Sequence, residues 1–199
     1  EFMNYMLMDK MEEYTPEMDQ LLFMLPLAGS AFKKINYDEV MGRAVSKFVP
    51  AEDLVIPYYV TNLNDCERIT HIIKMTENQV RKSQVAGVFR DIELTEPESK
   101  QTDIQKQYNR LEGTSRPSEQ EQDTRNILEM HVDLDIEDSE EGIKIPYIVT
   151  IDETSQEILR IIRNYREDDP TAKKINYFVH YKFLPGLGFY GFGLIHMIG

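Results

Sequence analysis

The sequence is short of three things: cysteine, positive charge and long apolar runs. Cys66 is its single cysteine, so no disulfide can form within the chain, no thiolate-based metal site can be assembled, and a reducing compartment is expected. Lys and Arg number 22 against 35 Asp and Glu, a net charge of −13. That deficit of cations argues against wrapping a nucleic-acid backbone, because phosphate binding draws its affinity from clustered positive charge. It leaves open a repulsive wall beside a polyanion. No apolar run approaches the roughly 20 residues of a spanning helix, and no leader peptide is visible, so no membrane anchor is expected. The uncharged tail from 186 to 199 is too short to cross a bilayer.

What is present reads as a folded α+β chain. At 199 residues it can bury a real core in one ordinary domain or two small ones. Glu1 stands where a Met would begin a protein, and the last residues stop inside an apolar run, so both ends read as cut from a longer chain. The opening EFMNYMLMDKMEEY reads as helix. Thr15 is placed as the cap of the next helix, with Pro16 at its first position. Gly29 is its stop, and Pro26 is expected to kink it or end it early. A hairpin over 30–50 turns at Asp38 to Gly42. DLVIPYYV reads as a strand that Pro57 confines to an edge or a bulge, and ERITHIIKM as another. Thr76 and Gln79 form a capping box for a helix closed by Gly87. VFRDIEL reads as strand.

Three segments follow from this pass: helices and a first strand group over 1–92, a polar mobile loop over 93–124, and a β-meander over 125–199. The loop has too few apolar residues to offset its ordering entropy. The meander comprises NILEMHVDLDIED, IKIPYIVTID, EILRIIRNY and KINYFVHYKFL. Turn residues separate these strands and no helix intervenes, which favours antiparallel pairing. The fold class is therefore α+β, with antiparallel strands in a meander or mixed sheet and a few flanking helices.

Two motifs invite chemistry. Gly186, Gly188 and Gly191 spell G-x-G-x-x-G, the spacing that cradles a dinucleotide pyrophosphate. The context that such a site needs is a helix opening at the third glycine within a βαβ unit, and an acidic residue about twenty positions on. Here Phe192 and Gly193 follow instead, so the glycines are expected to let an aromatic-rich turn pack closely on other backbone. In HVDLDIEDSEE, His131, Asp133, Asp135 and Glu137 share one strand face, opposite Met130, Val132, Leu134 and Ile136. A divalent cation would suit such a set, but a calcium loop would want glycine where Asp138 stands. A solvated face is expected. His71, His180 and His196 have no serine or cysteine partner in a nucleophile motif. The acidic neighbours of Cys66 dull it as a nucleophile, and Lys33 and Lys34 read as a charged strand surface. No catalytic group, metal or cofactor is assigned, and the chain reads as non-catalytic.

In order and spacing, LPLAGSAFKK at 25–34, VPAEDLVIPY at 49–58, ERITH at 67–71, RNY at 163–165 and FVHYKFLPGLGFYGFGLIHMIG at 178–199 resemble the portal proteins of short-tailed double-stranded DNA bacteriophages. The resemblance spans nearly the whole chain apart from the polar loop. It implies a subunit of a ring, typically of twelve, at one capsid vertex of the virion, assembled in the host cytoplasm. Through such a ring double-stranded DNA is packaged and ejected without sequence-specific binding. Terminase, tail-adaptor, capsid and scaffolding proteins are the implied partners, and the motor's ATPase belongs to the terminase. This chain would correspond to the α+β wing. The family-motif residues, as candidates for subunit packing, are Gly29, Phe32, Lys33, Pro57, Tyr58, Arg68, His71, Arg163, Asn164, His180, Tyr181, Gly188, Tyr190, Gly191 and Gly193. Within this reading, GLGFYGFGLIHMIG is a glycine-loosened passage from the meander's last strand toward a further helix. Two rival readings are a truncated nucleotide-binding enzyme resting on the 186–191 glycines, and an acidic module that binds a basic partner through 93–141.

Overall fold

A computed structural model describes residues 2–95, 124–136, 142–186 and 188–198. Most of the polar segment at 93–124, and Glu137 and Asp138 of the acidic run, lie outside them. A short helix α1 (Phe2–Tyr5) runs into a π-helical turn over Met6–Lys10. Helix α2 (Tyr14–Ala28) follows, and here the structure corrects two expectations. The cap position is Glu13, whose side chain makes no capping bond, and Thr15 lies inside the first turn. Pro16 is tolerated there because the first N–H groups of a helix have no partner to lose. Pro26 does not end the helix early. The chain stays helical to Ala28, and Gly29, at φ 81°, closes it by donating its N–H to the Leu25 carbonyl.

Two antiparallel sheets make up the rest. The first has the order β2-β1-β8, from β1 (Ser30–Asp38), β2 (Arg43–Val49) and β8 (Phe178–Lys182). The expected hairpin turn is present: Asp38 Oδ1 accepts from the Val40 and Met41 N–H groups, and Gly42 N–H reaches the Asp38 carbonyl. The second sheet has the order β3-β4-β5-β6-β7, from β3 (Leu54–Val55), β4 (Arg68–Thr76), β5 (Thr124–Leu134), β6 (Ile145–Asp152) and β7 (Ile158–Arg163). β5 to β7 form three strands of the predicted meander, and β4, expected in the first strand group, pairs with β5 on its other side. The final strand leaves it: β8 pairs with β1, Phe178 opposite Lys34 and His180 opposite Phe32. The early and late parts of the chain therefore interleave, and each sheet draws on both.

Two further strands shrink or vanish. The run DLVIPYYV contributes only Leu54–Val55, on the sheet edge, and stops two residues before Pro57. VFRDIEL forms no strand. Helix α3 (Glu77–Val85), which begins at the expected Thr76–Gln79 capping box, holds that stretch with a side chain: Gln84 Nε2 donates to the Arg90 and Ile92 carbonyls at 3.2 and 2.8 Å. Phe89, Ile92 and Leu94 then cover a small core of Val80, Ile127 and Leu159. Backbone groups satisfied by a buried amide need no ladder. A last short helix, α4 (Leu194–Ile198), packs beside α2. Among the described residues no helix is long and apolar enough to cross a membrane.

β1 is the centre of the molecule, and that position explains its composition. α2 lies on one face of β1, and the five-stranded sheet lies on the other. Alternate side chains of a strand point to opposite faces, so over residues 30–34 both faces of β1 are covered and its two lysines are buried, while Ile35 and Tyr37 further along are exposed. Lys33 and Lys34 are 1 % and 7 % exposed, a correction to the charged-surface expectation. Lys33 Nζ sits 3.9 Å over the Tyr14 ring, with the charges of Glu17 and Glu13 nearby, yet burial lowers its pKa overall. The same helix protects the sheet's edge. Glu13 and Glu17 accept the N–H groups of Ser46 and Phe48, which edge strand β2 would otherwise leave open to another strand.

Candidate functional site

The terminal glycines lie against backbone. A Cβ added at Gly193 would stand 2.2 Å from the Leu27 carbonyl oxygen, one at Gly191 2.5 Å from that of Gly29, and one at Gly29 2.4 Å from that of Gly191. At Gly186 the obstacle is the Tyr190 carbonyl, at 2.3 Å. Real Cβ atoms do not approach so closely, so these positions admit only glycine. Leu184 and Phe192 exchange backbone bonds at 3.2 and 2.9 Å, closing a tight loop, and Phe183 N–H reaches back to the Gly29 carbonyl at 3.0 Å. At Gly186 and Gly191 the chain's own backbone occupies the space beside the glycine. Gly188, the middle glycine of the motif, has nothing within 4 Å of its added Cβ.

Side chains complete the junction. His180 packs on both Phe32 and Phe189, with ring centroids at 4.4 and 4.6 Å and planes inclined by 26° and 23°, and the two phenyl rings lie 5.9 Å from each other. Tyr190 meets the edge of Phe189. The Ser30 hydroxyl accepts the Gly191 N–H at 2.8 Å and lies 3.1 Å from His180 Nε2. Burial first, and then the charge of Lys182, lowers His180 to about 4, so the imidazole is neutral at pH 7. A serine beside a neutral histidine has the form of a nucleophile and its base. Ser30, however, is buried, and the Gly191 N–H already occupies its oxygen. Among the described residues, the three principal clefts are lined by others. The arrangement fastens the C-terminal passage to the α2–β1 corner.

A second polar cluster sits between the sheets. Lys34 of β1 reaches the Glu129 carboxylate of β5 at 2.7 Å, and His131 Nε2 lies 2.7 Å from the same group. Burial alone would raise the Glu129 carboxyl, but the hydrogen bond from His131 and the charge of Lys34 outweigh it and hold the group well below its ordinary range. His71, opposite Glu129 on β4, is lowered to about 4, by burial first and then by Lys34. Phe178 meets both His71 and His131 edge-on. A second ion pair, Arg160 with Glu39 at 2.6 Å, closes the other side of a cleft of about 210 Å³ that Tyr177, Thr150 and Ile148 also line. Its two cations are each already paired with a carboxylate, so the cleft carries no free charge for an anion. This placement corrects the expectation of a solvated face. His131 is 1 % exposed, Asp133 is half-buried, and only Asp135 of the described carboxylates stands in solvent.

Of the sequence-predicted residues, Gly29, Phe32, His180, Tyr190, Gly191 and Gly193 come together at the junction. His71 lies between the sheets, and Lys33 lies under α2. Tyr58 is fully exposed, Arg68 is exposed and Pro57 is half-buried, apart from both clusters. Arg163 ends β7 opposite Tyr147, and Asn164 beside it is buried, with its backbone bonded to Pro146 and Ile175. Tyr181 pairs with Ala31 on β8, and Gly188 is exposed. Sequence reasoning missed Ser30, Phe189 and Glu129. Glu129 had a signal: it lies two residues before His131, on the same strand face. Comparison with models of known protein families gives no match, and comparison with curated protein sequences gives none either.

Proposed function

We propose that this chain is a structural subunit of a phage portal ring, in which the described residues form the wing of the subunit. In that role it is one wall of the capsid-vertex conduit through which double-stranded DNA is packaged and ejected. Terminase, tail adaptors and capsid or scaffolding proteins dock on the assembled ring, which resides in the virion. The reading rests on one observation: the motif stretches 25–34 and 178–199, distant in sequence, pack on each other as a single glycine-and-aromatic junction. Close backbone packing at this junction among the described residues suits a structural part. The acidic balance suits a conduit, since carboxylates near a DNA path repel phosphate and let the duplex slide.

The test is the mass of the intact assembly by native mass spectrometry, beside calorimetric titration with NAD and with ATP. A discrete high-mass species at an integral multiple of the subunit, with no heat of nucleotide binding, is the expected pair of results. A monomer that binds either nucleotide with micromolar affinity restores the enzyme reading.

A further inference from the structure

The junction leaves one surface bare. Along α2 the outward stripe is polar in its first half, at Thr15, Asp19 and Gln20, and turns apolar in its second. Leu22, Phe23 and Leu27 are 57 %, 71 % and 36 % exposed. α4 begins where Gly193 is seated against the Leu27 backbone, so it continues the same surface, and Ile195, Met197 and Ile198 on it are 65 %, 56 % and 85 % exposed. No Asp, Glu, Lys or Arg occurs from Gln20 to Phe32 or from Phe183 to Gly199. The fold thus brings two charge-free stretches of a strongly acidic chain side by side. Contiguous exposed apolar area of this kind marks a contact site.

We infer that this α2–α4 face is where a second copy of the chain docks. Charge decides between the possible occupants. An anionic membrane or a nucleic acid would be met by basic residues, and neither stretch has one. A basic protein would be drawn to the acidic faces and away from this one. A second copy carries the same net charge of −13, so two copies repel each other wherever charged faces meet. They can approach at low cost only through a surface without charge, and burial of apolar area then supplies the attraction. The inference takes its biological meaning from the ring reading, but it stands or falls on different measurements.

Its signature is an inverted response to salt. Contacts held by ion pairs weaken as salt rises. Contacts between like-charged copies through an apolar face strengthen, because screening removes the repulsion and leaves the apolar term. Sedimentation equilibrium of the 199-residue chain at about 0.05 M and about 0.5 M salt, between which the screening length falls roughly threefold, is the primary test. Association at least several-fold tighter at high salt is expected. The double variant Phe23→Asp, Ile195→Asp is expected to weaken it at least tenfold at both salts, with far-UV circular dichroism unchanged because both positions are exposed. Tyr58→Asp, which alters an equally exposed aromatic residue elsewhere, is expected to leave it unchanged. As a second route, Phe23→Cys with Ile195→Cys is expected to give intermolecular disulfides under mild oxidation, against a background of one buried native thiol at Cys66. A chain that stays monomeric at both salts, association that falls with salt, or association that survives the double variant would each overturn the assignment. Rings that still form in the double variant would sink this face and leave the ring reading standing. Absence of rings from the unmodified protein, with association through this face intact, would do the reverse.

Discussion

Replacing Gly193 by alanine adds one methyl group in a place where the structure has no room for it. Its Cβ would lie 2.2 Å from the Leu27 carbonyl oxygen and 2.7 Å from Gly29 N, against ordinary contacts of 3.4 to 4 Å. Both obstacles are backbone, so either the α2–β1 corner shifts by about 1 Å or the C-terminal passage lifts away. Overpacking of the first kind costs roughly 1–3 kcal/mol. Lifting exposes Phe189, which is 6 % exposed in the fold, at about 1.5–3 kcal/mol, and breaks its stacking with His180 for roughly 1 kcal/mol more. Alanine returns about 0.4–1 kcal/mol by restricting the unfolded chain. The expected net loss is about 1.5–3 kcal/mol. Gly188→Ala is the matched control: its added methyl meets nothing within 4 Å, so it should be neutral or slightly stabilising. A nucleotide cradle ranks these positions differently, because Gly188 belongs to the G-x-G-x-x-G motif and Gly193 does not. Urea unfolding followed by far-UV circular dichroism measures both. Equal stability of Gly193→Ala and the unmodified chain, or a loss at Gly188 matching that at Gly193, would refute the reasoning.

Three more outcomes follow from the packing. Lys34→Ala leaves Glu129 in the sheet interface with His131 as its remaining partner and should cost about 3 kcal/mol, whereas Lys34→Met with Glu129→Leu should cost much less, because an apolar pair removes the stranded charge; urea midpoints decide, and a double variant worse than the single contradicts the cluster. Stability should fall on acidification from pH 7 to pH 5: His71 has its folded pKa lowered from 6.5 to about 4, so the unfolded chain takes up the proton first, at a cost of roughly 2 kcal/mol over that interval, with less from half-buried His180. Glu129 acts in the same direction at lower pH, since its lowered folded pKa gives stability that is present above the unfolded value near 4.5 and lost below it; a flat or rising profile between pH 7 and pH 5 contradicts the burial of these groups. Thr76→Ala should cost about 1 kcal/mol by removing the cap of α3, and an unchanged midpoint contradicts it.

Local signals were the legible part of this fold. The Thr76–Gln79 capping box, the Asp38–Gly42 turn and the Gly29 stop each depend on side chains within a few residues of the backbone they satisfy, and each is where the sequence placed it. The close packing of Gly186, Gly191 and Gly193 was legible for a related reason: Phe192 and Gly193 follow the third glycine, and a short helix opens only at Leu194. Long-range partners decided the rest. KINYFVHYKFL has the strand character expected, but nothing in it reveals that its edge belongs to β1 and not to β7. VFRDIEL has strand propensity, and the Gln84 amide took its carbonyls. HVDLDIED alternates as a half-buried strand does, yet alternation does not say which face is inside. Here the face of Glu129 and His131 is the covered one, because Lys34 of another sheet supplies the opposite charge. The two adjacent lysines of β1 misled for a related cause: they sit in the part of the strand, residues 30–34, that a helix and a sheet cover on both faces, and only topology tells.

The claim on which the account turns is that this chain builds a closed assembly, with its glycines spent on packing. Negative-stain electron microscopy of the purified protein tests it most directly. Class averages of a rotationally symmetric ring around a central opening, with no change on adding NAD or ATP, are the predicted result. Particles of single-chain size at every concentration, made more stable by either nucleotide, would contradict it.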